Sequence, residues 1–270
     1  MNEGLSSELD HRKTAIFHAL TDSPERSRSQ QGSSGRGRGW VFAALCVLFL
    51  FHGCMNLLWL HLDNHEIIAD EAVHMRTARL YHAAFTSDVY TSVGDRFIAA
   101  TKIESRYPPL LHILGALLCV VFGYHPDVMA ATGTLCLFVL LLGVYFLARQ
   151  MLDAWGSLFA TVVTSFVPIV FTASRYFMTD YLAASLTVWV VYFLVRSGCF
   201  RNAGWAFAFG VANGLTIMTR ETAVLFYIVP SAVFFVVGVL RPLLVRGGGR
   251  DFRAAGRVVV NGTMSIFVAA

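Results

Sequence analysis

The chain has little charge. Asp, Glu, Lys and Arg make up only 14% of its 270 residues, while 56% are hydrophobic. A soluble domain carries roughly a quarter charged residues, so a water-soluble globule is excluded. No C-x-x-C pair occurs among its five cysteines, Cys46, Cys54, Cys119, Cys136 and Cys199. Four of these sit in apolar runs, so small buried side chains are expected rather than a disulfide framework or a zinc site. There is no Gly-rich phosphate loop between a strand and a helix. The net charge of +4 is not gathered into a basic stripe on a soluble domain, which excludes nucleic acid as a partner.

What the chain does have is long apolar runs separated by short polar stretches, the pattern of a membrane protein. Residues 1–39 are polar, and Ser23–Gly39 is so poor in apolar residues that a disordered cytoplasmic tail is expected. Trp40–Leu62 is the first apolar run; it begins too late and runs too long for a cleaved signal. A polar loop, 63–108, follows. Within it Asp70–Phe85 places Val73, Leu80 and Ala84 at helical spacing, which predicts an amphipathic helix on the membrane surface. Further runs cover Pro109–Tyr124, Val128–Leu147, Ala154–Ala173, Tyr181–Val195, Ala203–Met218 and Thr222–Leu244, and another begins near Val258. The membrane domain thus extends over 40–270.

Loop charges decide which runs cross. Arg12, Lys13, Arg26, Arg28, Arg36 and Arg38 precede the first run, so the N-terminus is expected in the cytoplasm. If every run crossed, Arg196, Arg201, Arg241, Arg246, Arg250, Arg253 and Arg257 would all lie outside, against the positive-inside rule. One non-crossing run upstream of Arg149 returns them all to the cytoplasm. Pro109–Tyr124 is short, opens on Pro108-Pro109 and contains His112, so it is read as a re-entrant or interfacial helix. The fold class expected is an all-α polytopic transmembrane bundle with an amphipathic lumenal loop helix. In this arrangement Asp70, Glu71, Arg175, Asp180, Arg220 and Glu221 gather at one membrane face.

Ionisable residues at membrane level are functional candidates. The Asp70-Glu71 pair opens the loop helix. Paired carboxylates divide labour, one taking a proton while the other orients, although acidic residues also simply stabilise a helix start. Arg106-Tyr107-Pro108-Pro109 returns the chain to the interface on a rigid backbone, with an arginine suited to phosphate. Arg175 and Asp180 share one short junction and Arg220-Glu221 another; mutual pairing within each is the plain alternative. His65, Glu66 and His74 offer a divalent-metal site, though their spacing matches no tight ligand motif. Asn261-Gly262-Thr263 fits a glycosylation acceptor but falls on the cytoplasmic side or inside a span, so it is expected to be unused.

In order, the acidic pair, Tyr107-Pro108-Pro109-Leu110, the SRYFMTD stretch from Ser174 to Asp180, and Gly214–Glu221 resemble the polytopic glycosyltransferases of the GT-C fold. The nearest branch holds the protein O-mannosyltransferases and the aminoarabinose transferases, and the resemblance covers about 40–245. It implies that Asp70 is the essential acidic residue of the first lumenal loop, with Glu71 its partner. Arg106 or Tyr107 stands where a basic residue precedes Pro-Pro, and Asp180 at the second lumenal acidic position. Arg220 stands where Lys is common, which keeps the charge but changes its geometry. The implied reaction is inverting transfer of a mannose-like sugar from a polyprenyl- or dolichyl-phosphate donor to a hydroxyl of a protein or lipid. Asp70 would be the base; Arg106, Tyr107, Arg175, Asp180, Arg220 and Glu221 would hold donor phosphate and substrate. No cofactor is implied with certainty. The compartment favoured is the endoplasmic reticulum membrane, with a bacterial inner membrane as the alternative. Members of the family are much longer, so a partial domain is expected. A non-catalytic partner subunit and a transporter are the competing readings, the latter disfavoured because the charges sit at segment ends rather than mid-membrane.

Overall fold

A computed structural model describes residues 35–63, 69–90, 92–244 and 251–269. The tail before Gly35, the loop residues His65 and Glu66, and Arg246 and Arg250 lie outside the described residues. Trp40–Ala270 forms one compact unit. Among the described residues all regular structure is helical. In chain order the helices are α1 (Gly35–Leu62), α2 (Ala69–Thr86), α3 (Val93–Thr101), α4 (Leu110–Phe122), α5 (Pro126–Ala148), α6 (Ala154–Ser165), α7 (Pro168–Ala173), α8 (Thr179–Arg196), α9 (Ala203–Ile217), α10 (Ile228–Leu244) and α11 (Phe252–Ala269). A 3-10 turn, Glu221–Phe226, precedes α10. Gly39–Leu62 of α1 and the whole of α5 are long and apolar enough to cross a membrane, and α4, α9 and α10 are shorter apolar helices. The chain is an all-α membrane protein.

Several boundaries depart from the sequence reading, each for a local reason. Helix α1 takes in Gly35–Gly39, which the composition had assigned to the tail. The run Ala154–Ala173 breaks into α6 and α7 because Pro168 disfavours helical backbone at Val167, which is extended at φ −61 and ψ 123. Thr222–Leu244 divides at Tyr227, the 3-10 turn preceding the α-helix. The last helix starts at Phe252 rather than near Val258. Helix α3 was not anticipated; Ser92 caps it by accepting from the Asp95 N–H at 3.0 Å.

Contacts give the helix directions. Helix α1 runs antiparallel to α5: Leu45 sits in one cluster with Tyr145, Phe49 stacks on Phe138 at 4.9 Å, and the Asn56 amide donates to Thr134 Oγ1 at 3.0 Å. Helix α8 runs parallel to α5, with Ser185 donating to the Cys136 carbonyl and Trp189 Nε1 to that of Val139, both at 2.9 Å. Helices α8 and α9 form a hairpin in which Phe193 stacks on Trp205. Helix α11 lies parallel against the glycines of α9; a Cβ at Gly210 would fall 2.6 Å from the Ser265 carbonyl.

Helix α4 lies across one end of this bundle. The Leu110 N–H donates to the Met218 carbonyl at the end of α9, and Gly115 abuts the Phe177 ring at the α7–α8 junction. The Gly123 N–H closes α4 on the Cys119 carbonyl, three residues before α5 begins. Both ends of α4 therefore meet the same end of the bundle. Its 13 residues extend about 20 Å, short of the ~30 Å hydrocarbon core.

The opposite end collects the basic residues. Arg149 closes α5 and Arg196 closes α8. Asn261 of α11 donates to the Phe200 carbonyl at 2.8 Å, which brings α11 to the α8–α9 turn and commits the amide of the glycosylation sequence.

Candidate active site

The site is built on α2. A 3.6-residue period puts Glu71, His74, Met75, Ala78 and Tyr81 on one face, and that face is buried. Val73 and Leu80, which suggested the amphipathic pattern, point outward, 47% and 49% exposed. The inward face is thus polar where it starts and apolar further along.

A buried carboxylate needs partners. Glu71 is 1% exposed, and its Oε1 accepts from the backbone N–H of Phe177 at 2.8 Å. This bond ties the first turn of α2 to the Ser174–Asp180 junction. Asn56 of α1 holds the other side of that junction, donating to Ser174 Oγ at 2.9 Å and accepting from Arg175 Nε at 3.2 Å. The Arg175 guanidinium lies over the Phe171 ring at 4.2 Å and over Trp59 at 5.1 Å. Arg175 is therefore engaged on the α1 side.

Asp180 turns the other way and forms an ion pair with Arg220, whose Nε also donates to Thr222 Oγ1 at 3.0 Å. The pairing within each junction that the sequence allowed is replaced by one that joins the two junctions.

Beneath Asp70 and Glu71 lies a pair of histidines. His74 Nδ1 and His112 Nε2 are 3.1 Å apart, with the residues 2% and 0% exposed. The Tyr107 ring sits 4.6 Å from that of His74, and the Tyr81 ring stacks on His112. Burial lowers the proton affinity of His74, with the charge of Asp70 raising it and that of Arg220 lowering it further. His112 was visible as a polar interruption of an apolar run. His74 shares a helix face with Glu71 three residues earlier, and that spacing was the signal for the pair.

Next to this cluster an open pocket of about 540 Å³ is lined by Tyr81, Arg106, Tyr107, Pro109, Met218 and Glu221, among others. Four groupings result. Arg106, Tyr107 and Glu221 share the pocket. Asp180 and Arg220 pair beside it. Asp70 is exposed at the start of α2, while Glu71 beside it is sealed inside. Arg175 stands apart with Asn56 and Trp59. Among the described residues no group of three or more His, Cys, Asp or Glu is placed to hold a metal ion.

A family model described as dolichyl-phosphate-mannose-protein mannosyltransferase matches residues 106–246, a little over half of the chain. The chain belongs to this family. The match takes in Arg106, Tyr107, Arg175, Asp180, Arg220 and Glu221, and Asp70, Glu71 and His74 precede it. Membership of the mannosyltransferase family makes the chain a membrane glycosyltransferase of the mannosyltransferase type. No curated protein and no solved structure matches it.

Proposed function

We propose that the chain transfers a mannose-like sugar from a polyprenyl- or dolichyl-phosphate donor to a hydroxyl of a protein or lipid acceptor, on the non-cytoplasmic side of an endoplasmic reticulum-type membrane. The observation that carries this reading is the convergence, at one bundle end of a mannosyltransferase-family chain, of an exposed carboxylate, an ion-paired arginine and an arginine-lined pocket.

Each group has work suited to its surroundings. Asp70 is exposed on the first turn of α2 and is free to meet an acceptor hydroxyl and remove its proton. Glu71 is enclosed and holds α2 to the Phe177 backbone, so its role is to position Asp70. Arg106 lines the pocket and makes no ion pair among the described residues. It is suited to the donor phosphate, where negative charge grows as the sugar leaves. Ile217, Met218 and Pro109 give the same pocket an apolar wall for the first units of a polyprenyl chain. Arg220 and Asp180 fix the neighbouring junction, and Arg175 braces it from α1. The basic residues at the far end favour a cytoplasmic N-terminus.

The test is transfer from radiolabelled polyprenyl-phosphate mannose in membranes that contain the full chain. Asp70→Asn is expected to lower transfer by about 10²-fold or more, the scale of a lost general base, and Arg106→Ala to raise KM for the donor. Unchanged transfer by Asp70→Asn removes the base assignment.

A further inference from the structure

The pocket beside the histidine pair carries two poles of opposite charge. One wall is the Arg106–Pro109 stretch that enters α4; another is the segment that leaves α9 through Met218 to Glu221. The Leu110 N–H, donating to the Met218 carbonyl at 3.0 Å, clamps these two segments together. Arg106 lies four residues before the clamp on one segment, and Glu221 three residues after it on the other. Both line the pocket and both are exposed. Among the described residues neither makes an ion pair, with the other or elsewhere. A guanidinium and a carboxylate held apart on one pocket of about 540 Å³ fit a ligand that is anionic at one end and rich in hydrogen-bond donors at the other.

An ionised carboxylate only accepts hydrogen bonds. Its ligand must bring N–H or O–H groups, and an ionised phosphodiester brings none. Glu221 is therefore unsuited to the donor phosphate and suited to the sugar. The hydroxyls nearby narrow the class of sugar. Thr101 Oγ1 donates to the Ile98 carbonyl at 2.8 Å, which leaves its lone pairs to accept. Ser105 Oγ accepts from the Tyr107 N–H at 3.2 Å and keeps its proton to donate. Both residues line the pocket. A lining that accepts and donates suits sugar hydroxyls, which do both. An ammonium only donates, and the charge of Arg106 in the same pocket opposes it.

We propose that Glu221 selects the sugar: its carboxylate accepts hydrogen bonds from hydroxyls of a neutral hexose whose phosphate is held by Arg106. This rests on the reading of the pocket as the donor site. Hydrogen bonds to an ionised group are about twice as strong as neutral ones, so Glu221 outweighs Thr101 and Ser105 in telling one sugar from another.

Binding to the full chain in lipid nanodiscs tests the inference without turnover. The probes are a short-chain prenyl-phosphate mannose, the same prenyl phosphate without sugar, and mannose probes lacking one hydroxyl at each position in turn. The wild-type chain is expected to bind the mannose probe on the order of 10- to 100-fold more tightly than at least one deoxy probe, the scale of a hydrogen bond to a charged group. Glu221→Ala is expected to erase that difference and to bind the sugar-free phosphate as the wild type does. Glu221→Gln, which keeps an acceptor oxygen without the charge, is expected to fall between. The Glu221 side chain is exposed and unpaired among the described residues, so both variants are expected to keep the wild-type Tm. Arg106→Ala is expected to weaken every probe alike. If Glu221→Ala keeps the wild-type discrimination, or weakens the sugar-free phosphate as much as the mannose probe, the sugar assignment is overturned. If an amino-sugar probe binds the wild type more tightly than mannose and Glu221→Gln removes that advantage, the carboxylate pairs with an ammonium and the hydroxyl assignment is overturned. If Arg106→Ala leaves the sugar-free phosphate bound as before while Glu221→Ala still erases the discrimination, the phosphate reading of Arg106 falls and the sugar site stands.

Discussion

Glu71 accepts a hydrogen bond from the Phe177 N–H at 2.8 Å across 106 residues of sequence. It directly bonds the loop helix that carries Asp70 to the junction that carries Arg175 and Asp180. Removing one partner of a buried hydrogen bond leaves the other unsatisfied. Glu71→Ala strands the Phe177 N–H and is expected to destabilise the protein by about 1–3 kcal/mol. Glu71→Gln keeps an acceptor oxygen and is expected to cost less. Thermal unfolding in detergent measures both. Equal Tm losses for the two variants would show that the bond to Phe177 does not anchor α2.

The helices of the bundle were largely legible in the sequence because long apolar runs report directly on lipid. Trp40–Leu62 and Val128–Leu147 were found to within a few residues, and loop charge together with its shortness, Pro108-Pro109 and His112 set Pro109–Tyr124 apart from the spans. What stayed hidden depends on three-dimensional packing. The inward face of α2 stayed hidden because it opens on Glu71 and His74, polar residues satisfied by partners far along the chain, whereas the apolar spacing of Val73 and Leu80 marks the face left outward. Arg175 and Asp180 lie five residues apart and their charges match, yet Asn56 and the rings of Trp59 and Phe171 hold one while Arg220 holds the other. No local pattern carries that choice.

The Asp180–Arg220 pair is 59% and 45% exposed on its side chains, so water screens it. A double-mutant cycle on Asp180→Asn and Arg220→Gln is expected to give a coupling of about 1 kcal/mol or less in stability. Its effect on transfer is expected to be larger than on Tm, because the pair fixes the approach of two junctions at the site. A coupling of several kcal/mol would mark it instead as a structural bridge.

Gly133 of α5 faces the junction backbone. A Cβ there would lie 2.5 Å from the Ser174 carbonyl oxygen and 3.0 Å from that of Tyr176, and backbone cannot swing aside as a side chain can. Gly133→Ala is expected to cost about 1–3 kcal/mol through overpacking and to loosen the Asn56–Ser174 bond. Gly256→Ala, with nothing within 4 Å, is the control. It is expected to be neutral or to stabilise α11 by up to about 1 kcal/mol through helix propensity. Urea unfolding of both variants separates the packing effect from propensity.

Stability is expected to fall with acid in a way His74 partly controls. In the unfolded chain this ring takes up a proton near pH 6.5, and in the folded protein only at lower pH, because burial disfavours the charge. Above 6.5 both states are neutral there and the stability is fully present. As the pH falls from 6.5 through the folded value, the unfolded state binds the extra proton and stability is lost. A Tm series from pH 7.5 to 5 is expected to slope downward, and His74→Gln to flatten it. An unchanged slope would assign the acid sensitivity to other groups.

The placement of α4 gives the sharpest test of membrane sidedness. Met218, Phe177 and the start of α5 lie at one end of the bundle, and α4 touches all three regions. Accessibility reporters inserted after Ser105 and after Gly123 are therefore expected to read the same side, and one after Gln150 the opposite side. If α4 crossed instead, the first two would differ, α5 would run the other way, and its parallel neighbour α8 would carry Arg196 out with it. Arg106 would then be separated from Arg220 by the bilayer, although Leu110 and Met218 share a backbone hydrogen bond at 3.0 Å. A split reading at Ser105 and Gly123 would thus dismantle the helix placement and the shared pocket of Arg106 and Glu221 together.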